Sequence, residues 1–182
     1  PLTLQNPAVG LADFGFADGM VVLSISLSVN RASLAFGRGA ATNTTGTTTA
    51  QTGSGITVDL IGVQGTFGLA VDVFGLLSGK VRVEPTGAWS LQVASLTAEI
   101  PNVAQLTAGG VVIGYDPDAA AGQELLRINT ATITLPRFGV TGRLRPYNPA
   151  TRSNIDANND ATLAAGLVPG LVVRDNGFSL GT

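Results

Sequence analysis

Apolar and polar side chains alternate over residues 21–29, VVLSISLSV, near the start of the chain. The apolar members of this run are Val21, Leu23, Ile25, Leu27 and Val29. A period of two predicts a β-strand with one buried face, so we expect these five side chains to face the core together. In the next run, ASLAF (32–36), the apolar residues fall on the opposite parity, which predicts a bulge or bend near Asn30 and Arg31.

Strand-like runs of the same kind continue to the end of the chain. They are TVDLIGVQGTFGLAVDVFG (57–75), KVRVE, WSLQVASLTAEI, GVVIGY, LLRINTATITL and GLVVRDNGFSL. They are rich in Val, Ile, Thr and Phe, which strands prefer. Turn signals separate them, among them Asn176-Gly177, a favoured two-residue hairpin pair. Helical stretches are short, so we predict an all-β protein with no helix longer than about three turns.

A weak internal echo suggests a repeat-like architecture. AEIPNVAQL (98–106) resembles ITLPRFGVTGRL (133–144), and LVPGLVV (167–173) resembles both, with their prolines at positions 101, 136 and 169. Regular spacing of this kind is typical of the stacked coils of a β-solenoid, the first expectation for this chain. The alternative is an antiparallel β-sandwich, because short strands, frequent turns and hairpin signals are typical of that fold.

The segment TNTTGTTTAQTGSG (42–55) has neither charge nor any large apolar side chain. Strand-like sequence of one composition lies on both sides of it, and the roughly 36 residues before it are too few for an independent domain. We therefore predict one β-rich domain, 1–182, with a Thr/Gly-rich surface loop at about 38–55. Asn43 begins the chain's N-x-[ST] sequon and is a candidate glycosylation site; a bare loop is the alternative.

The composition of the chain argues against several classes of function. Charged residues make up 12% of the chain and the net charge is −2, so there is no electrostatic case for nucleic acid. Cys and His are absent, which removes the commonest bases and nucleophiles. The sequence places no pair among Glu84, Glu99 and Glu124 together, so we expect no enzyme. No apolar run reaches the length of a transmembrane helix.

The best metal candidate is NIDANNDAT (154–162). Asp156, Asn158 and Asp160 have the D-x-N-x-D spacing of calcium loops that bind through oxygen atoms. Ala161 stands where the EF-hand pattern has glycine, and Leu167 stands where it has the bidentate Glu. One interpretation of this segment is therefore a calcium-binding loop, and the other is an Asx-rich turn.

Three stretches carry a family resemblance: LTAEIPNVAQLTAGGVVIGYDPDAAAGQELLRI, ITLPRFGVTGRL and VPGLVVRDNGFSLG. They cover roughly the second half of the chain and resemble tandem segments of very large, repetitive secreted bacterial surface proteins. The resemblance implies an extracellular, structural or adhesive role and transfers no active-site residue.

The function expected from these features is structural. We expect a subunit or repeat of an extracellular fibre, appendage or matrix, whose partners are copies of itself. The runs LTL (2–4) and GFSLGT (177–182) contain no charge, so we expect the two ends to form contacts between copies by strand addition or stacking. The alternative is an adhesin-type module that binds glycan or another surface, with Trp89, Tyr115 and Tyr147 as stacking platforms.

Overall fold

The computed structural model describes residues 2–17, 20–36, 55–72, 82–155, 163 and 165–181. Its strands are β1 (Leu2–Gln5), β2 (Ala8–Ala17), β3 (Met20–Phe36), β4 (Ile56–Val71), β5 (Val83–Ile100), β6 (Ala104–Tyr115), β7 (Glu124–Leu135), β8 (Val140–Leu144), β9 (Tyr147–Asn148), β10 (Ser153–Asn154), β11 (Leu171–Arg174) and β12 (Gly177–Leu180). The helical content of these ranges is one 3₁₀ turn, Pro136–Phe138. The all-β prediction is confirmed.

Ten of the strands form one antiparallel sheet in the order β1-β3-β4-β5-β6-β7-β11-β12. β2 pairs with β3 beyond the end of β1, and β8 pairs with β7 beyond the end of β11. β1 and β2 thus share one position at the edge of the sheet beside β3, and β8 and β11 share the position beside β7. β9 and β10 form a separate two-stranded sheet. Phe36 of β3 pairs with Ile56 of β4, so the Thr-rich segment joins two neighbouring strands.

Every strand pair in the sheet is antiparallel and most neighbours follow each other along the chain. Hairpin connections favour this arrangement because a short turn suffices to reverse the chain. The described strands show no solenoid coils, and their antiparallel pairing is compatible with one layer of the sandwich alternative. The hairpin expected at Asn176-Gly177 forms one residue earlier, with Arg174 paired to Gly177 across Asp175 and Asn176.

A line of interrupted pairing crosses the whole sheet at right angles to the strands. We call this line the crease; it consists of Asn6, Asn30, Gly62, Ala94, Gly110, Asn129, Gly170 and Gly181. Regular pairs flank the crease on both sides without a change of register between β3 and β7. Three of its members have left-handed backbones, with φ of 50° at Asn6, 63° at Gly62 and 61° at Gly110.

The crease reverses the alternation of side chains along each strand. Val93 and Leu96 are three residues apart and would point to opposite faces of an unbroken strand. Both nevertheless belong to one hydrophobic cluster, together with Val111 and Ala108, which also lie on opposite sides of the crease. The bend predicted near Asn30 is therefore present, and it is a reversal of the pleat through left-handed residues instead of a shifted register.

The reversal gathers the apolar side chains of both halves of the sheet on one face. Val29, Val63 and Val93 lie in one row on one side of the crease, and Ala32, Leu60 and Leu96 form the corresponding row on the other. We call this side the apolar face. The opposite side, the polar face, carries Ser24, Ser26 and Ser28 of β3 and, past the crease, rows such as Asp59–Thr97–Thr107–Thr132.

The five apolar side chains predicted to face the core do share one face. Their partners on β4 include Val71, Leu69 and Val63. Only part of that face is a core, however: Val21 is buried, whereas Leu27 is exposed. The buried cluster, Val93, Ala108, Val111 and Ala131, is confined to the rows next to the crease.

The sheet is built from repeated hairpins, and part of the sequence echo reflects them. Pro101 follows β5 and Pro136 follows β7 at matching positions, directly after Ile100 and Leu135, which occupy the same row. Pro169 does not match them, because it directly precedes the crease residue Gly170. The sequence similarity around Pro101 and Pro136 therefore reflects a repeated pair of strands, whereas the similarity around Pro169 does not.

The final repeat is interrupted at the crease. β8 runs along β7 from Val140 to Leu144, and β11 continues along the same edge from Leu171. Counting on from Leu144, the fully buried Pro146 falls opposite Asn129. Gly170 donates its backbone N–H to the Asn129 carbonyl at 2.9 Å. The chain thus leaves the sheet after Pro146 and returns at Gly170, on the same line.

Candidate assembly surface

The apolar face is the largest feature that the fold leaves uncovered. All of the exposed large apolar side chains of the described residues except Ile61, Val103 and Phe138 lie in rows of this face. A strand with one apolar and one polar side needs a second layer to bury its apolar side. No second layer covers this face among the ranges that the structure describes.

Both edges of the sheet are also unpaired among the described strands. One edge is formed by β1 and β2, residues 2–17, in which Asp13 is the sole charged residue. An extra residue in β2 shifts the register between Leu11 and Asp13. The opposite edge carries β12, Gly177–Leu180, which has no charge. Of the two uncharged runs that the sequence analysis singled out, LTL thus lies in β1 on one edge, and Gly177–Leu180 of the other run form β12 on the opposite edge.

The polar face holds an ion pair next to the crease. Arg31 donates from Nε to Asp59 Oδ1 at 2.8 Å and from Nη2 to Oδ2, and Ser33 Oγ donates to Oδ1 at 2.6 Å. Burial by itself would raise the pKa of Asp59, but the hydrogen bonds from Arg31 and Ser33 outweigh burial and hold that pKa below its usual value. Asp59 thus ties β3 to β4 at the bend.

Two of the three proposed stacking residues are neighbours in the sheet. Trp89 of β5 pairs with Tyr115 of β6 on one side and with Phe67 of β4 on the other. Trp89 and Tyr115 are each 46% exposed, and the three aromatic residues form one row of the apolar face. Tyr147 lies apart in β9. The sequence did not single out Phe67, because only the pairing register reveals its neighbour.

The turn that follows β6 is stabilised by its own polar groups. Asp116 Oδ1 accepts the backbone N–H of Asp118 at 3.0 Å. The Gln123 side chain bonds the Asp116 backbone through both its oxygen and its nitrogen, at 3.0 and 2.9 Å. The Asp-Pro-Asp segment therefore forms an Asx turn.

The predicted metal and glycosylation residues cannot be placed. Asp156, Asn158 and Asp160 lie outside the described residues, as does Asn43, so both sites stay predictions. Within the residues described, no three acidic, His or Cys side chains are grouped as metal ligands would be. The three glutamates considered as a catalytic pair occupy separate places: Glu84 pairs with Arg82, Glu124 pairs with Arg174, and Glu99 lies opposite Gln105.

The membrane and family comparisons add two facts. In the part of the chain that the structure describes, no helix could cross a membrane. Comparisons of the chain with protein-family models, with curated proteins and with solved structures found no match. Its function therefore has to be inferred from its own residues.

Proposed function

We propose that the protein is a structural subunit or repeat of an extracellular fibre, appendage or matrix, which assembles through strand edges and ends. The observation that carries the proposal is the open sheet, with two unpaired edges and an exposed apolar face. An isolated copy would leave the backbone groups of its two edge strands without a partner strand and its apolar face exposed to water.

The exposed apolar area supports a protein that is covered by neighbours. More than fifteen large apolar side chains of the apolar face are at least one third exposed. At roughly 80 Å² for half of such a side chain, they present on the order of 1,500 Å². The largest apolar patch of a typical monomer is about 300–600 Å². Covering this surface, at about 25 cal/mol per Å², is a strong drive for association.

The edges support assembly by strand addition. An exposed edge offers a row of backbone N–H and C=O groups to another strand unless charge, proline or a covering element blocks it. β12 has none of these protections, and on the opposite edge Pro7 and Asp13 bracket Ala8–Leu11. The extracellular setting rests on the low charge, the absence of cysteine and the resemblance to secreted surface proteins.

Sedimentation velocity over a concentration series, with electron microscopy of the same samples, tests the proposal. We expect oligomers that grow with concentration. Phe178→Lys, which places a charge on β12, should reduce them, whereas Gln105→Lys adds the same charge on the polar face of β6, away from both sheet edges, and should not. A chain that stays monomeric at high concentration would contradict a structural role.

An adhesin-type module is the second candidate, and the row of exposed aromatic residues favours it. Ligand sites are lined mainly by apolar and aromatic side chains, and Phe67, Trp89 and Tyr115 offer three aromatic rings in one row of the apolar face. Trp89→Ala should then abolish binding to immobilised polysaccharides or glycans. Phe14→Ala, an exposed aromatic of β2 outside this row, is the matched control and should leave binding unchanged. Equal binding by both variants would remove this candidate.

A further inference from the structure

From the β1/β2 edge to β7 the strands alternate between two types where they meet the crease; β11 meets it at Gly170, which has no left-handed backbone, so the alternation does not continue past β7. The left-handed residues Asn6, Gly62 and Gly110 belong to the β1/β2 edge, to β4 and to β6. β3, β5 and β7, which lie between and beside these strands, meet the crease at Asn30, Ala94 and Asn129 with ordinary backbone angles. Each left-handed residue thus has only ordinary-φ neighbours in its row.

The two edges of the sheet differ in type. β1/β2 is a strand of the left-handed type, with Asn6 at the crease. β12 runs in the same direction as β3 and β7, and Gly181 meets the crease at its end by donating its N–H to the Gly170 carbonyl at 3.0 Å. β12 therefore occupies a position of the ordinary type. Joining β12 to the β1/β2 edge gives Asn6 a neighbour without a left-handed backbone on each side, as Gly62 and Gly110 have, whereas joining two β1/β2 edges places two left-handed residues side by side.

We propose that β12 of one copy adds to the β1/β2 edge of a second copy, head to tail and antiparallel, in the register that continues the crease. Gly181 then lies opposite Asn6, and Phe178 lies opposite Val9. The inference rests on the proposed structural function and specifies its joint: which edges meet, in which direction and in which register.

Exposure and length agree with this register. Val9 is 73% exposed and Phe178 is 72% exposed, among the highest values for large apolar side chains in the structure. Both belong to the row of Leu27 on the apolar face, Val9 by direct pairing and Phe178 through Val173 and Leu126. In the joint they become direct cross-strand neighbours, the contact that stabilises paired strands.

The available edge matches the length of β12. In the proposed register the four residues Gly177–Leu180 cover Pro7–Gly10. The irregularity between Leu11 and Asp13 begins directly after that stretch, and bulges and charges disfavour further pairing on an edge. Joints of this kind are heterologous and need not close, so successive copies extend the sheet as a filament.

Engineered cysteines test the joint without background, because the chain has no cysteine of its own. Val9→Cys and Phe178→Cys are made in separate chains of different mass, mixed and oxidised. Facing residues of paired strands lie within the Cα separation that a disulfide spans, whereas side chains on opposite faces cannot be bridged. We expect the mixed dimer to exceed either self-linked dimer about tenfold. Mixing Val9→Cys with Ser179→Cys, whose side chain lies on the polar face, should give background levels.

The possible results of this experiment distinguish the proposed joint from the proposed structural function. Because both replaced side chains are exposed, the variants should keep the fold, which circular dichroism can verify. If the wild-type chain remains monomeric, the structural function and the joint are both wrong. If the chain assembles but Val9→Cys links mainly to itself, or Ser179→Cys links as well as Phe178→Cys, the head-to-tail register is wrong and the structural function stands.

Discussion

Replacing Gly62 by alanine tests whether the crease depends on a residue without a side chain. Gly62 lies in the middle of β4 with φ of 63°. A Cβ added there would lie 2.8 Å from the Cβ of Ala94 on the neighbouring strand, well inside the ordinary carbon–carbon separation of about 3.5–4.0 Å. Because Ala94 Cβ is fixed to the backbone, it cannot swing away, and the two strands have to separate.

Two costs add up in this variant. A left-handed backbone costs a residue with a Cβ about 1–2 kcal/mol, and an overpacked contact costs about 1–3 kcal/mol more. We therefore expect Gly62→Ala to lower the free energy of unfolding by about 2–5 kcal/mol. Domains are commonly stable by only about 5–15 kcal/mol, so the loss is large enough to measure without difficulty.

Gly65→Ala is the matched control on the same strand. Its added Cβ would meet only the Ser90 carbonyl oxygen, at 3.7 Å, which is an ordinary contact, and Gly65 does not have a left-handed backbone. Alanine should be neutral there or more stable by up to about 1 kcal/mol. Adding Ala94→Gly to Gly62→Ala removes the contact and keeps the left-handed strain, so it should recover only the part of the loss due to the contact.

Urea unfolding at low protein concentration measures these differences, with the fluorescence of Trp89, the single tryptophan, as the probe. Circular dichroism on the same samples checks that unfolding is cooperative. If Gly62→Ala unfolds at the same urea concentration as Gly65→Ala, the crease tolerates side chains. The reversal of the pleat would then not depend on a residue without a side chain at position 62.

Other perturbations address the ion pair, a tight glycine and the calcium candidate. Asp59→Asn takes from Arg31 its carboxylate partner, so we expect a loss of about 1–2 kcal/mol at neutral pH. The pKa of Asp59 is lowered by folding, so its contribution to the free energy of unfolding is present above the ordinary carboxyl pKa and is lost as the pH falls through the folded pKa. The urea midpoints of variant and wild type should therefore converge in acid. A difference between the midpoints that stays constant with pH would refute this. Gly68→Ala would bring a Cβ to 2.1 Å from Thr86 Oγ1 and should therefore lower the Tm. Adding Thr86→Ala should restore much of the lost Tm, and an unchanged Tm in Gly68→Ala would contradict the predicted overlap. Calcium should raise the Tm by mass action and Asp156→Ala should abolish the rise, whereas equal melts with and without chelator would leave only the Asx-turn reading.

The alternation of apolar residues in β3 predicted both the strand and its distortion. Val21 to Val29 share one face, and the change of parity at Ala32 marks the crease, because the pattern within a strand reports which side chains share a face. Which residue reverses the pleat was not predictable from β3 alone. The left-handed residue is Gly62 on the partner strand, and only the register shows that Asn30 and Gly62 lie side by side.

The repeat and the row of aromatic residues were predictable only in part, for the same reason. Pro101 and Pro136 repeat because each follows a strand of the same type, whereas Pro169 precedes a crease residue and resembles them by chance. Trp89 and Tyr115 were both recognised as exposed platforms, but their adjacency depends on long-range pairing, which single-residue properties do not encode. Which surface would be left open could not be foreseen either, since the sequence was compatible with layers that the described strands do not form.

The interruption between Pro146 and Gly170 suggests how the sheet could be engineered. At that point the chain departs for more than twenty residues and resumes the same edge, while β7 beside it keeps its pairing on both sides. Regular ladder pairing is interrupted along the crease, and the backbone bond from Gly170 to the Asn129 carbonyl marks where the chain resumes the edge. The corresponding place on the opposite edge, between Asn6 and Pro7, is therefore a port for a grafted loop, and a graft there would lie inside the proposed joint and should stop the next copy from docking.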